Sequence, residues 1–500
     1  MPRKVPSKAQ DFLSSVILPL VSLWLLPLSF AAVALCVAHD WLLGSRGKVQ
    51  PKRSPGCVIV SGGRMSKGLT LARAFKRAGW KVIGVEEAGW GELCPMRFSR
   101  AVDAFHLLPA ASASYAAYSS ALLDIAQKHS ATLFIPVSGA GSSIEDAQAA
   151  DEMFRKTKGR CRTFIQDPET MLDLHDKDRF MSLVESLGMV IPGGKMVDSV
   201  QQAMTFLSEG GVEAKEPKYV LKCMGLDENR GDMTLYPLKG DDGKMRQTRK
   251  ALEGLRLKIS KDCPYVFQEY IPGQEYCTHA SVVNGRITAF VTCPSNDMLM
   301  TYEDVTSLPI GRRAEEWTRT FLERLAQKPT QGGNQRRLNG HFSFDFILST
   351  KNDVIYPIEC NARVHTAVIM LPLDDIAGCY DDSFAKKGRI VRPRPGTAPR
   401  SWLYNDLVMR YLPLLVPSPR LLSLIHPSLP ACALTSEAKH IVRPREDAVQ
   451  VRVDPTLVAD DWVPFIVLWH VFWPFLLVSR WWQGKKWTRL NVSTGRIFEA

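Results

Sequence analysis

His341-Phe-Ser-Phe-Asp345-Phe-Ile-Leu348, a turn at Ser349-Thr-Lys-Asn-Asp353 and a return as Val354-Ile-Tyr-Pro-Ile-Glu359-Cys-Asn361-Ala-Arg363 read as one β-hairpin. Strand side chains alternate between faces, so Glu359, Asn361 and Arg363 are predicted to point one way. A turn centred on Asn352 sets Asp345 opposite Glu359 on that face. Phe342, Phe344, Phe346 and Leu348 then fill the other face, with Tyr356 and Ile358 beside them and Cys360 turned to the core. Two carboxylates ~5 Å apart repel by roughly 3 kcal/mol at an effective dielectric near 20. Their placement therefore asks for a cation. Asp345, Glu359 and Asn361 form an all-oxygen set without His or Cys, which suits Mg²⁺, with Mn²⁺ as the alternative. Arg363 beside them offers a fork for phosphate or carboxylate. The competing reading is a solvated hairpin face that happens to carry charge.

The chain of 500 residues is long enough for two to four domains. A hydrophobic fraction of 45% and a charged fraction of 23% leave no large part reading as disordered. The net charge of +12 is thin, and its denser pieces, Lys48 to Arg53, Arg389 to Arg400 and Lys485-Lys486, lie near apolar segments. That distribution suits a membrane surface or phosphorylated ligands and argues against nucleic acid. The 11 cysteines are odd in number and scattered, with no Cys-x-x-Cys pair, which fits a reducing compartment and excludes a disulfide framework.

No charged residue occurs from Phe12 to Ala38, a run long enough to cross a bilayer. Pro19 and Pro27 leave a kinked helix or a re-entrant hairpin open. Basic residues flank both sides (Arg3, Lys4, Lys8; Arg46, Lys48, Lys52, Arg53), so charge sets orientation weakly. Near the other end, Trp462 to Trp482 holds five of the twelve tryptophans, and Pro464, Pro474, His470 and Arg480 interrupt it. An interfacial segment resting on a membrane is expected, with a buried aromatic core as the alternative.

Between these ends, Cys57-Val-Ile-Val60 reads as a buried strand and Ser61-Gly-Gly-Arg-Met-Ser66 as a turn with Ser66 as N-cap. Leu71, Phe75 and Ala78 mark a helix that Gly79 ends, and Lys81 to Glu86 is the next strand. The glycines miss the G-x-G-x-x-G spacing, since Met65 stands in the second glycine's place, which argues against NAD or FAD. A further strand, Thr132 to Val137, leads to the glycine loop Ser138 to Ser143. Ligands of such sheets gather at the carboxyl ends of strands, where both loops lie. From Asp176-Lys177-Asp178 a helix runs until Gly188 and Pro192. Strands follow at Tyr219 to Cys223, from Tyr265, and as a hairpin joined by Asn284-Gly285.

Lys177, Lys222, Gln268 to Glu275, Asp345 and Glu359-x-Asn361-x-Arg363 together resemble, in order and spacing, the nucleotide site of the ATP-grasp superfamily. The resemblance implies ATP as cofactor, with Lys177 and Lys222 on its phosphates. It implies Gln268 and the backbone at Glu269 and Ile271 along the adenine, Glu275 on the ribose, and Asp345, Glu359 and Asn361 on the metal. Arg363 would steady the transferred phosphate. The loop Met224 to Gly231 has fewer glycines than is usual there, so Arg230 is expected to supply charge that backbone donors would otherwise give.

Within the superfamily, Val60 to Gly68, Gln268 to His279, Asp345 to His365 and the ending Gly484-Lys-Lys-Trp-Thr-Arg are similar to the ligases of mycosporine biosynthesis. That resemblance implies a C–N ligase that joins glycine to a cyclohexenone, 4-deoxygadusol, through a phosphorylated enol and yields ADP and phosphate. His279 and His365 are candidates for proton handling or substrate contact, or else packed or surface residues. The expected architecture is α/β and α+β. It comprises a membrane anchor and basic linker (1–54), a pre-ATP-grasp βαβ domain (55–165), an ATP-grasp domain (166–390) and a C-terminal aromatic extension (391–500). The need for ATP places the catalytic part on the cytosolic side of the membrane, out of reach of glycosylation at the sequon Asn491-Val-Ser493. Rival readings are a carboxylate–amine ligase acting through an acyl phosphate, and a membrane-anchored nucleotide-binding scaffold without catalysis.

Overall fold

The structure, a computed structural model, describes residues 7–43, 55–137, 139, 142–209, 217–223, 234–238, 245–255, 257–295, 300–330, 332–416, 418–427 and 452–499. It is a mixed α/β molecule whose chain divides into two compact units. One comprises Asp176–Gln274 with Phe346–Glu359; the other holds the rest of the described chain.

The larger unit begins with α1 (Lys8–Trp24) and α2 (Leu26–Leu43), which meet at Leu25. The apolar run is therefore two helices, and only the second passes as a candidate span by length and composition. Beyond them lies a parallel sheet of β1 (Cys57–Val60), β2 (Lys81–Glu87), β3 (Ala104–Leu108), β4 (Leu133–Ile135) and β5 (Arg162–Thr163), in the order β3-β2-β1-β4-β5. Central β1 is buried along its whole length, as its unbroken Cys-Val-Ile-Val run requires when both faces are covered. Helices α3 (Ser66–Arg77), α4 (Tyr115–Lys128) and α5 (Ser143–Lys156) connect these strands. Gly62 turns the chain into α3 with φ +74°, and a Cβ there would lie 2.7 Å from Val137 O. Gly79, at φ +85°, follows the helix end as expected.

Ser66 is not the cap of α3. Met65 holds that position, and Ser66 N–H donates to Ser493 O at 3.1 Å while its hydroxyl accepts from Trp402 Nε1 at 3.0 Å. Partners remote in sequence have taken both groups. A second tie fixes the C-terminal region to α3. Buried Arg73 meets Asp461 at 2.8 Å and also donates to the carbonyls of Pro455 and Thr456. Asp461 accepts from Ser99 Oγ and Arg100 N–H as well, so the buried charges are fully met.

After α6 (Pro168–His175), the smaller unit opens with α7 (Lys177–Ser186). Asp176 caps it by accepting from the backbone of Asp178 and Arg179, both at 3.0 Å. Strands β6 (Gly194–Val197), β7 (Tyr219–Cys223), β8 (Leu235–Tyr236) and β9 (Tyr265–Glu269) form an antiparallel sheet in the order β6-β9-β7-β8. Phe267, Tyr265, Tyr236 and Val197 pack its core.

The next sheet runs β11-β10-β12-β13, built from β10 (Gly273–Val283), β11 (Arg286–Pro294), β12 (Gly340–Ser349) and β13 (Ile355–Asn361). Asn284 and Gly285 both take positive φ, 49° and 74°, as a two-residue type I′ turn requires. The last hairpin pairs β14 (Trp487–Asn491) with β15 (Arg496–Glu499). Trp487, Trp402, Phe465 and Trp473 are buried with it in the larger unit's core, so much of the expected aromatic extension is internal packing.

Candidate active site

Along β12, Phe342, Phe344 and Phe346 are fully buried as expected, but Ser343 and Asp345 (9% exposed) are buried as well, so both faces of the strand are covered, and Leu348 is only half-buried. On β13, Cys360 is buried as expected, whereas Tyr356 is only half-buried and its hydroxyl takes the Asn352 amide at 2.9 Å. The strand stops at Asn361. Arg363 is therefore not a strand residue: its N–H turns back onto Asn361 O at 2.6 Å, a three-residue turn. The turn still brings three of the expected groups together. Arg363 Nη2 donates to Asn361 Oδ1, and Asn361 Nδ2 donates to Asp345 Oδ2 at 3.1 Å.

The other expected phosphate and metal residues gather in the smaller unit. Lys177, at the first position of α7, meets Glu359 Oε2 at 2.7 Å. Lys222 on β7 donates to the side chain of Gln268 on β9. Both lysines act on Asp178, whose carboxyl is nevertheless raised, chiefly by burial and then by Asp176. Glu269 bonds Gly193 twice, its N–H to the carbonyl at 2.6 Å and its carboxylate to the N–H at 3.2 Å. Ile271 is buried, and Glu275 is exposed with its carbonyl accepting from Ser295 N–H at 2.8 Å. Arg230 and the loop Met224 to Gly231 lie outside the described residues, as do Ser138, Ala140 and Gly141 of the second glycine loop.

Among the described residues no three His, Cys, Asp or Glu side chains gather as a metal cluster. The expected set has two carboxylates and an amide instead, on the neighbouring strands β12 and β13. By their chemistry these donors suit a hard cation: all are oxygens, and the two carboxylates are met here by an ammonium and an amide, groups that a divalent ion can replace.

One residue escaped the sequence reading. Lys67, at the start of α3, is 3% exposed and donates from Nζ to Val364 O at 2.6 Å. Burial holds its ammonium well below the ordinary lysine range, and the Arg363 and Arg64 charges lower it further. The side chain ties the first glycine turn to the chain just past Arg363. Its position in the sequence held no sign of this, since lysines are rarely buried. Beside it His279, fully buried, stacks on His341 at 5.4 Å, and burial pushes His279 down to about 3, with Lys67 adding to the shift. His365 N–H approaches His279 Nδ1 at 3.3 Å, and His365 Nδ1 accepts from Ala367 N–H. His279 and His341 are packed groups, and burial keeps His279 neutral over the working range of an enzyme, whereas His365 is only half-buried.

A polar cavity of about 140 Å³ opens beside Asp345. Ser295, Thr301, Tyr302, His365, Asn491 and Ser493 line it. Tyr302 stands edge-on to His365 at 6.1 Å and to Trp402 at 6.0 Å. Asn491 and Ser493 come from the turn of the last hairpin, where Ser493 Oγ and Thr494 N–H both donate to Asn491 Oδ1. The C-terminal region thus supplies part of the wall.

No family model and no curated protein sequence matches the chain. Among solved structures the fold is similar to phosphoribosylamine–glycine ligase from Thermotoga maritima, at 14% identity and TM-score 0.46 over 69% of this chain and 78% of that one. It is also similar to a biotin carboxylase–β-γ-ATP complex from Campylobacter jejuni, at 16% identity and TM-score 0.46 over 66% and 71%. A third likeness is to the biotin carboxylase domain of 2-oxoglutarate carboxylase from Hydrogenobacter thermophilus with MgADP and bicarbonate, at 15% identity and TM-score 0.45 over 67% and 70%. These are likenesses of fold.

Proposed function

We propose that the protein is an ATP-dependent, ADP-forming ligase of the ATP-grasp type that joins an amine to a phosphorylated oxygen acid. The observation that carries this reading is the chain of contacts from Asp345 through Asn361 to Arg363, which sets a carboxylate, an amide and a guanidinium together at one strand end. Passive nucleotide binding does not require all three. Asp345, Glu359 and Asn361 would hold Mg²⁺, whose charge would offset that of the transferred phosphoryl group. Lys177, Lys222 and Arg230 would bind phosphate oxygens, and Gln268, Glu269, Ile271 and Glu275 the nucleoside. Arg363 would steady the phosphoryl group as it passes to the acid oxygen. The amine then forms the new C–N bond, loses a proton, and phosphate leaves with the C–O bond.

The finer reading is that the acid is a cyclohexenone such as 4-deoxygadusol and the amine is glycine. Its support is the resemblance of Val60 to Gly68, Gln268 to His279 and Asp345 to His365 to the mycosporine ligases. An enolised 1,3-dicarbonyl is a vinylogous carboxylic acid, so enol phosphate and acyl phosphate call on the same site. A carboxylate substrate is the alternative, and it requires no change in any residue named above. The cavity beside Asp345 suits the amine. At about 30 Å³ per water it has the room of four or five waters, close to an amino acid of glycine's size. The hydroxyls of Ser295 and Thr301 with Asn491 Nδ2 would face its carboxylate.

Purified enzyme with ATP, Mg²⁺, glycine and either 4-deoxygadusol or a panel of carboxylates is the test. ADP release that depends on both partners is expected, with a shift in ultraviolet absorbance for the ring. Glycine left unincorporated with the ring, but consumed with a carboxylate, would reject the finer reading. Nucleotide binding with no ADP release for any pair would reject the ligase itself. Ser493→Leu should raise the amine KM about tenfold while the ATP KM stays within about twofold.

A further inference from the structure

Between Lys8 and Leu43 the burial pattern is inverted. In α1 the buried side chains are Asp11, Ser14 and Ser15, and in α2 they are Ser29 and Val33. Leu23, Trp24, Leu35 and Trp41 are instead 59%, 81%, 72% and 66% exposed. A helix on a water-soluble protein turns its leucines inward. Here the inward polar groups make specific bonds to the folded body. Gln10 Nε2 donates to Ser423 Oγ at 3.0 Å, and Ser15 Oγ accepts from Trp487 Nε1 at 3.2 Å. Further along, Ser22 and Ser29 take the two ring nitrogens of His470, at 3.1 and 2.6 Å.

The helix Val463–Trp482 packs the usual way, with Phe465, Leu468, Phe472, Trp473 and Leu477 buried, and leaves Phe475, Val478 and Trp482 exposed. Phe12 and Trp481 rings lie 5.3 Å apart, so the start of α1 and the end of this helix meet. Lys8 opens α1, and Lys485 and Lys486 follow Trp482 in the chain, with Lys485 3.3 Å from Glu499.

We propose that these helices form one lipid-binding face, and that the protein enters a single leaflet of an anionic bilayer without crossing it. Leucines outward with serines bonded inward is the arrangement that suits surroundings without water. Tryptophan and lysine at one edge match the headgroup region, where an indole meets water and an ammonium meets lipid phosphate. The folded body accompanies the segment from Gln10, bonded to Ser423, to Phe30, whose ring lies 6.4 Å from that of Trp462. At 1.5 Å per residue that is about 30 Å, the whole thickness of a hydrocarbon core. Protein occupies one side along this length, so lipid can meet only the other. Of the two arrangements the sequence left open this takes the re-entrant one, and it leaves the catalytic body on the side where the segment enters.

The test uses the full chain with sealed vesicles of phosphatidylcholine, with and without phosphatidylserine. Flotation with the vesicles, stronger with phosphatidylserine, is expected. The double variant Leu35→Glu/Trp41→Glu, both at exposed positions, should lower the bound fraction at least tenfold and leave the thermal midpoint in detergent unchanged. Cysteines introduced by Ala9→Cys and His39→Cys flank the apolar run, and a membrane-impermeant maleimide added outside should modify both, as read by mass spectrometry. Protection of one of the two means a span and overturns the proposal. Absence of flotation, or a dimer in solution that covers the same face, overturns it as well.

Discussion

Lys67 Nζ donates to Val364 O at 2.6 Å, one residue beyond Arg363. The bond joins the turn after β1 to the chain that carries the guanidinium. Lys67→Met keeps the apolar stem and removes the donor, leaving a buried carbonyl unmet at a cost of about 1–3 kcal/mol. The thermal midpoint should fall accordingly. The turnover number should drop at least about tenfold while the ATP KM stays within about twofold, because Arg363 is displaced and nucleotide contacts are not. Steady-state kinetics with both substrates varied will check it; unchanged turnover would remove Lys67 from the site.

Asp345→Asn keeps the shape of the side chain and deletes its charge. Metal held by oxygen donors weakens with each lost carboxylate, so half-maximal activity should require more Mg²⁺ and ADP release should fall about a hundredfold. A magnesium titration of the variant decides this. If its curve overlays that of the wild type, the metal lies elsewhere.

His279 gives the fold an acid limit. Its ordinary value is 6.5, and burial takes it to about 3 in the folded protein. Below the ordinary value the unfolded chain gains a proton that the folded one refuses, so stability is lost as pH falls between the two values. At 1.36 kcal/mol per unit, two units of this window are about 2.7 kcal/mol. His341, held low by burial and by His279, adds in the same direction. Urea denaturation at neutral pH and about two units below 6.5 should show this loss in the wild type, and a smaller one in His279→Gln. Equal losses in both would assign the acid limit to other groups.

Gly273 sits where two segments of the smaller unit touch. A Cβ there would lie 2.0 Å from Leu348 O and 2.8 Å from Ile347 Cγ2. Thr350 fixes the approach by donating from its N–H and its hydroxyl to Pro272 O, at 2.9 and 3.0 Å. Gly273→Ala should cost about 1–3 kcal/mol, because the clash is with backbone that cannot rotate away. It should also raise the ATP KM through the neighbouring Gln268 to Ile271 stretch. Differential scanning fluorimetry and an ATP titration measure both effects, and a stable variant with native KM would contradict them.

Local pattern carried much of this architecture. Alternation on β12 announced which phenylalanines are buried, and Asn284-Gly285 announced the hairpin turn. The helix start at Asp176-Lys177-Asp178 also followed from its own neighbours. The misreadings have a common cause. Ser66 is no cap because Ser493 and Trp402 claim it, and Arg363 leaves the strand through a turn back onto Asn361. The serines of α1 and α2 looked incidental in an apolar run until their partners at Trp487 and His470 were known.

What the sequence alone determined was the kind of strand, turn and helix start, and the presence of acidic, amide and basic groups on one short hairpin. These follow from periodicity and from residues within a few positions of one another. Tertiary structure decided the rest: that Lys67 is buried against the strand end, that the last hairpin walls a cavity beside Asp345, and that an apolar segment faces outward. Burial and partnership are properties of groups hundreds of residues apart, and no local pattern encodes which of them meet.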